Sequence, residues 1–214
     1  MVNFLHRFMP TVNAETALAG RDSSVLPAPR PHTVLGTDIT AAPAPNQREI
    51  YLASGCFWGA EKLMWELGAE TTAVGYMGGF TPNPTYEETC SGMTGHTETV
   101  RVVYDPDKLS LTEILRAFFE SHDPTTLNRQ GNDIGTQYRS AIFPVTDDQY
   151  AEATRIRDAY QSALTEAGHS KIVTEIHEPA GTPFYYAEDY HQQYLDKNPN
   201  GYQCHARTGV ACPV

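Results

Sequence analysis

An α/β domain with two layers, helices packed on a mixed central sheet, is the architecture this sequence predicts, and three observations carry it. Short apolar runs with strand-like alternation are separated by segments whose apolar residues recur at helical spacing. The strand-like runs are joined by helices or tight turns, the connection pattern of a layered sheet. The chain has 214 residues, of which 40% are hydrophobic, with a mean hydropathy of -0.43, enough for one sizeable core.

The elements follow in order. Residues 1–46 hold six of the 15 prolines among Ala, Ser and Thr, and read as an arm draped over the domain. Ala14 to Ala19, closed by Gly20, has the form of one short helix. The folded domain, 47–199, opens with a strand at about 50–54 and a helix at about 57–67, where Phe57, Ala60, Leu63, Met64 and Leu67 share a face. A strand near 71–76 runs into Gly78-Gly79 and the loop Thr81-Pro82-Asn83-Pro84. Residues 97–104 alternate, with Glu98, Val100, Val102 and Tyr104 on one side and Thr97, Thr99 and Arg101 on the other. Ser110 and Glu113 form a capping box for a helix with the stripe Leu111, Ile114, Leu115, Phe118 and Phe119. His122-Asp123-Pro124 stops it. A polar loop at 124–137 then precedes a strand at about 138–143, a helix at about 147–167 and a strand near 172–177. Tyr185 to Leu195 reads as a last short helix, and 200–214 as a coil tail.

The net charge of -11 and the lack of a basic stripe argue against nucleic acid or an anionic membrane as partner. No apolar stretch approaches a membrane span, and Met1 to Phe8 does not read as a secretory signal, so a cytoplasmic protein is expected. In a chain this long that does not read as secreted, the four cysteines, Cys56, Cys90, Cys204 and Cys212, are not expected to form a disulfide scaffold. Cys204 and Cys212 lie in a polar, glycine-containing tail where no core is expected to bury them.

Gly55-Cys56-Phe57-Trp58-Gly59-Ala60-Glu61 is the most informative segment. It places Cys56 at a helix N-terminus, where unsatisfied N–H groups favour thiolate over thiol, next to two aromatic rings. Glu98, if its strand face is the core, is a carboxyl kept neutral by desolvation and able to donate a proton; its alternative is a solvent-facing strand end. Asp133 and Tyr138 belong to the loop Arg129 to Gln137, where an aspartate also serves as an ordinary turn residue. A zinc site of Cys204, His205 and Cys212 matches no common finger spacing and lacks an evident fourth ligand. Acyl transfer by Cys56, with His96 as base, and non-catalytic peptide capture are the rival readings. The tail thiols have no purpose in the first, and the second keeps its affinity without Cys56.

The segment around Cys56 resembles the signature of the methionine sulfoxide reductase A family. So do Gly75-Tyr76-Met77-Gly78-Gly79, Asn83-Pro84-Thr85-Tyr86, Gly95-His96-Thr97-Glu98, the run Gly131 to Ser140, and Tyr186 to Leu195. The likeness runs from about 49 to 199. It implies a ferredoxin-like core and reduction of methionine S-sulfoxide, free or protein-bound, without a cofactor or metal. It further implies Cys56 as nucleophile, Glu98 as acid, and Tyr86 and Tyr138 as hydroxyl donors to the sulfoxide oxygen. Phe57 and Trp58 would cage the S-methyl group, and Asp133 would bind substrate. Cys204 and Cys212 would pass the disulfide outward to thioredoxin or a glutaredoxin-like reductant, with Cys90 dispensable. Between the tail cysteines, His205-Ala206-Arg207-Thr208 stands where relatives often have a run of glycines.

Overall fold

A computed structural model describes residues 12–179, 181–204 and 206–214. Its elements are β1 (Arg48–Ser54), α1 (Phe57–Leu67), β2 (Thr71–Met77), α2 (Tyr86–Cys90), β3 (Thr97–Tyr104), α3 (Leu111–Ser121), β4 (Arg129–Gln130), β5 (Asp133–Ile134), β6 (Ser140–Phe143), α4 (Asp147–Glu166), β7 (Glu175–Ile176), β8 (Phe184–Tyr186) and α5 (Tyr194–Lys197).

Two split β-α-β units, β1-α1-β2 and β3-α3-β6, interleave in one sheet of order β7-β6-β1-β3-β2-β8. The central four strands have the ferredoxin-like order. All neighbours are antiparallel except β6 and β7. One sheet face packs on α1, α3 and α4 through Ile50, Leu52, Val74, Tyr76, Val100, Val102 and Tyr104. The alternation of β3 therefore points Glu98 toward the helices, and it is 1% exposed. On the opposite face Ala73 is buried beneath Leu26 and Ile39 of the arm. There Arg101 is held by Glu49 at 2.8 Å and by the carbonyls of Ile39 and Ala41.

The capping box of α3 forms as its sequence predicts: Ser110 Oγ accepts from the Glu113 N–H, and the Glu113 carboxylate accepts from the Ser110 N–H. Its stripe Ile114, Leu115, Phe118 and Phe119 is fully in the core.

Several local expectations are corrected. Residues 14–19 form turns, not a helix. Asn13 Oδ1 takes the N–H groups of Glu15 and Thr16, a side-chain turn that competes with helix continuation. Tyr185 to Leu195 is not one helix. Phe184–Tyr186 adds an edge strand to β2, and only Tyr194–Lys197 is helical. The helical reading fails because polar side chains of this segment are drawn inward to satisfy buried backbone and carboxyl groups. Gln192 mimics a strand partner, its side chain bonding the Val74 N–H and carbonyl. Gly75 admits this edge strand, since a Cβ there would lie 2.3 Å from the Tyr185 carbonyl. The short helix α2 and the β4-β5 hairpin were not anticipated. The strand near 172–177 shrinks to Glu175–Ile176, and Thr136–Tyr138 is a 3-10 turn before β6. Among the described residues, no helix is long and apolar enough to cross a membrane.

Candidate active site

β1 ends at Ser54, and Gly55 turns the chain with φ +94°, a conformation that disfavours any Cβ; one there would also meet Gln130 Cγ at 2.7 Å. This turn sets Cys56 at the N-cap of α1. The first N–H of the helix, from Phe57, donates to Glu98 Oε2 at 3.0 Å. A helix N–H that has no partner within the helix is thereby satisfied by a strand carboxyl 41 residues away. Cys56, Trp58, Tyr86, Glu98, Asp133, Tyr138 and Tyr202 together line a cavity of about 250 Å³.

Each side chain has a separate support. Tyr86 opens α2, whose capping box joins Thr85 and Glu88. Arg21 of the arm clamps Glu88 with two contacts of 2.7 and 2.9 Å, and Glu188 accepts the Tyr86 N–H at 2.9 Å. Trp58 stacks on Tyr194 at 3.8 Å between ring centroids and donates its indole N–H to His191 Nδ1 at 3.0 Å. Tyr138 closes the 3-10 turn, and Asp133 sits in the β4-β5 hairpin.

The electrostatics follow from burial. Glu98 is pushed up to about 8 by desolvation, against the pull of the Phe57 N–H. It is a neutral acid at pH 7. With Oε2 accepting from Phe57, the other oxygen is free to carry the proton. Tyr86 and Tyr138 are raised, burial first, and stay protonated donors. Cys56 departs from expectation. Burial, then the charge of Glu98, pushes its thiol well up, and the opposing Trp58 N–H does not compensate. One helix-terminal N–H is outweighed by desolvation, so the resting form is the thiol.

Phe57 is a second departure. Its ring does not line the cavity. It is 1% exposed and packs against Tyr76 and His191, backing Trp58. Of the Phe57-Trp58 pair, Trp58 is the one whose ring lines the cavity.

Cys204 lies on the far side of Cys56. Both border a smaller cavity of about 100 Å³ with Gly59, Gln130, Gln203 and Arg207. The Cys204 thiol is 3.6 Å from the Gln130 carbonyl. Cys212 is not in an unburied tail as expected. It is 7% exposed within the main core, beside Val210 and Val214, and its N–H donates to Glu120 at 2.7 Å. No disulfide joins the four cysteines. Cys90 is exposed beside the Tyr86 hydroxyl. His205 lies outside the described residues.

His96 is no base for Cys56. Its Nδ1 accepts from the Gly79 N–H at 3.0 Å, and its Nε2 donates to the Thr81 carbonyl at 2.7 Å, so both nitrogens are occupied.

Sequence reasoning missed Tyr202, Glu188 and His191. The Tyr202 hydroxyl reaches both Asp133 oxygens at 3.1 Å. Its one available signal was its place two residues before Cys204. Glu188 and His191 lie in the Tyr186 to Leu195 block, where a helical reading hid them.

The sequence model of the family described as peptide methionine sulfoxide reductase matches residues 48–212. A peptide methionine sulfoxide reductase MsrA of Corynebacterium kroppenstedtii is 54% identical over 99% of this chain and 100% of its own. The solved structure of methionine sulfoxide reductase A of Corynebacterium diphtheriae superposes with a TM-score of 0.83 at 50% identity, covering 95% of this chain and 98% of that one. That of Mxr1 from Saccharomyces cerevisiae in complex with Trx2 has a TM-score of 0.50 at 26% identity, covering 78% and 95%. With a thiol, a neutral carboxyl and two phenols on one cavity, and matches along nearly the whole chain, this protein belongs to the methionine sulfoxide reductase A family and is a thiol-dependent peptide methionine sulfoxide reductase.

Proposed function

We propose that this enzyme reduces the S epimer of methionine sulfoxide, free or in oxidised proteins, through a sulfenic acid on Cys56, and that thioredoxin recycles it in the cytoplasm. The observation that carries this reading is the neutral Glu98 carboxyl on the same cavity as Cys56, Tyr86 and Tyr138.

A sulfoxide sulfur becomes electrophilic as its oxygen is protonated. Glu98 gives its proton to that oxygen, and the Tyr86 and Tyr138 hydroxyls donate to it as charge develops. Cys56 sulfur attacks the sulfoxide sulfur, and the thiol proton restores Glu98. The S–O bond breaks and the hydroxyl passes to Cys56, leaving Cys56–SOH and methionine. The Trp58 face receives the S-methyl group. Asp133 accepts a substrate N–H in place of the Tyr202 hydroxyl.

The Cys204 thiol then attacks Cys56–SOH, forming a Cys56–Cys204 disulfide and releasing water. Their shared border on the smaller cavity supports this pairing. Cys212 attacks Cys204 and frees the Cys56 thiol. Its burial requires the end of the tail to leave the core first. An external dithiol reduces the Cys204–Cys212 bond. Thioredoxin is the favoured reductant, in keeping with the relative crystallised with Trx2. Arg207 near Cys204 also suits a glutaredoxin-like protein.

The test is to incubate the protein with racemic methionine sulfoxide and dithiothreitol, follow each epimer by chiral chromatography, and run Cys56→Ser beside it. The S epimer alone is expected to disappear, and only with Cys56 present. Equal loss of both epimers, or activity in Cys56→Ser, refutes the assignment.

A further inference from the structure

Residues 18–21 of the arm bracket α2, the helix that opens with Tyr86. After α2, the Leu18 N–H donates to the Met93 carbonyl at 3.0 Å; before it, the Thr81 hydroxyl donates to the Leu18 carbonyl at 2.9 Å. The Arg21 N–H donates to the Pro82 carbonyl at 3.1 Å, and the Asn83 amide donates to the Arg21 carbonyl at 2.9 Å. Gly20 lets the two backbones touch: its φ is +65°, and a Cβ there would lie 2.2 Å from the Pro82 carbonyl oxygen. The Arg21 guanidinium then forks onto the Glu88 carboxylate, Nη1 to Oε2 at 2.9 Å and Nη2 to Oε1 at 2.7 Å. Nη1 also donates to the Asn83 carbonyl at 2.6 Å. The Arg21 hydrogen bond holds the Glu88 carboxyl below the usual carboxylate range, so the pair stays ionised at neutral pH. Glu88 is at the same time the capping carboxylate of α2, accepting the Thr85 N–H on Oε2 at 2.9 Å.

We propose that Arg21 is a positioning residue of the reductase site: by clamping the cap of α2 it sets where the Tyr86 hydroxyl meets the sulfoxide oxygen, which makes the arm a working part of the site. This rests on the reading of Tyr86 as a hydroxyl donor to the sulfoxide. α2 has five residues, far short of the about 12 at which a helix begins to hold itself in water, so its placement comes from what ties it down. Glu188 holds it at one point, the Tyr86 N–H, about which the helix can still turn. The clamp on Glu88, two residues on, stops that turning. A planar two-pronged contact fixes direction as well as distance, which a lysine ammonium does not.

The test breaks the clamp from either end of the full chain. Arg21→Met removes the guanidinium. Glu88→Gln keeps an amide oxygen for the Thr85 N–H but turns an NH₂ toward Arg21. Each is made in the unaltered protein, in Tyr138→Phe and in Tyr86→Phe. The rate of the first methionine released from methionine S-sulfoxide is followed by rapid quench without reductant, so that the relay does not enter. In Tyr138→Phe, where Tyr86 is the one left of the two donors, Arg21→Met is expected to lower the saturated rate about tenfold, part of the roughly 10²–10³ that loss of a positioned donor costs. With Tyr138 present the loss is expected to be smaller, and in Tyr86→Phe close to none. The substrate concentration at half-saturation is expected to stay unchanged, because the contact strengthens as charge develops. Glu88→Gln is expected to give the same pattern, and the two changes together no more than either alone. A general loosening of the fold would lower all three backgrounds by one factor. That result, or different patterns for the Arg21 and Glu88 variants, overturns the proposal. Tyr86→Phe made in Tyr138→Phe tests the underlying reading. If that change costs nothing, the hydroxyl assignment fails and the proposal with it. If it is costly and Arg21→Met is not, the clamp alone fails.

Discussion

Replacing Glu98 by Gln separates the proton from the hydrogen bond. The amide oxygen of Gln can still accept from the Phe57 N–H, which the carboxyl takes at 3.0 Å, but the side chain can neither ionise nor give a proton. In the folded protein Glu98 keeps its proton to about pH 8, whereas the unfolded chain loses it near 4.5. Between those values the native state binds more protons than the unfolded state, so stability falls as pH rises and levels off above about 8. Each pH unit in the window removes about 1.4 kcal/mol, so Glu98 removes on the order of 4 kcal/mol between pH 5 and pH 8. Glu98→Gln lacks this slope. Chemical unfolding at a series of pH values is therefore expected to show the variant gaining on the unaltered protein by that amount from pH 5 to pH 8. Glu61, fully buried and raised to about 7, adds its own slope, but to both proteins, so it cancels in the difference. Reductase activity of the variant is expected to fall by roughly 10²–10⁴, the usual worth of a general acid. Parallel stability curves for the two proteins would refute the neutral, buried carboxyl.

Cys212→Ser is expected to keep activity with dithiothreitol and lose most turnover with thioredoxin, as read by coupled NADPH oxidation; equal activity with both reductants removes Cys212 from the relay. Cys90→Ser is expected to keep full turnover with thioredoxin, since the thiol is exposed and outside the proposed exchange sequence. Gly55→Ala is expected to destabilise the protein by about 1 kcal/mol or more, through its φ of +94° and the clash with Gln130, and a thermal melt reads it.

The parts of the site legible in the sequence are those governed by local rules. Strand alternation put Glu98 on one face with Val100 and Val102, leaving it to the packed helices to make that face the core, and the stop at Ser54-Gly55 put Cys56 at the helix start. The Thr85 and Glu88 capping box of α2 was equally local and was simply overlooked. What was not legible depends on partners distant in sequence. His191 meets Trp58 133 residues away, and Tyr202 meets Asp133 69 residues away. Gln192 and Gln193 are buried because they satisfy the Val74 backbone and the Glu61 carboxyl, which no periodicity reveals. The Cys56 protonation state was misjudged for the same reason: the helix terminus is a local feature, and the burial that overrides it is tertiary.

The most direct test of the proposed chemistry is a single turnover without reductant. A Cys204→Ser, Cys212→Ser protein is mixed with one equivalent of methionine S-sulfoxide and read by intact and peptide mass spectrometry. One methionine released per chain, with one oxygen gained on Cys56, is the expected result. Release of methionine with the oxygen on another residue, or no release at all, contradicts Cys56 as the group that takes the sulfoxide oxygen.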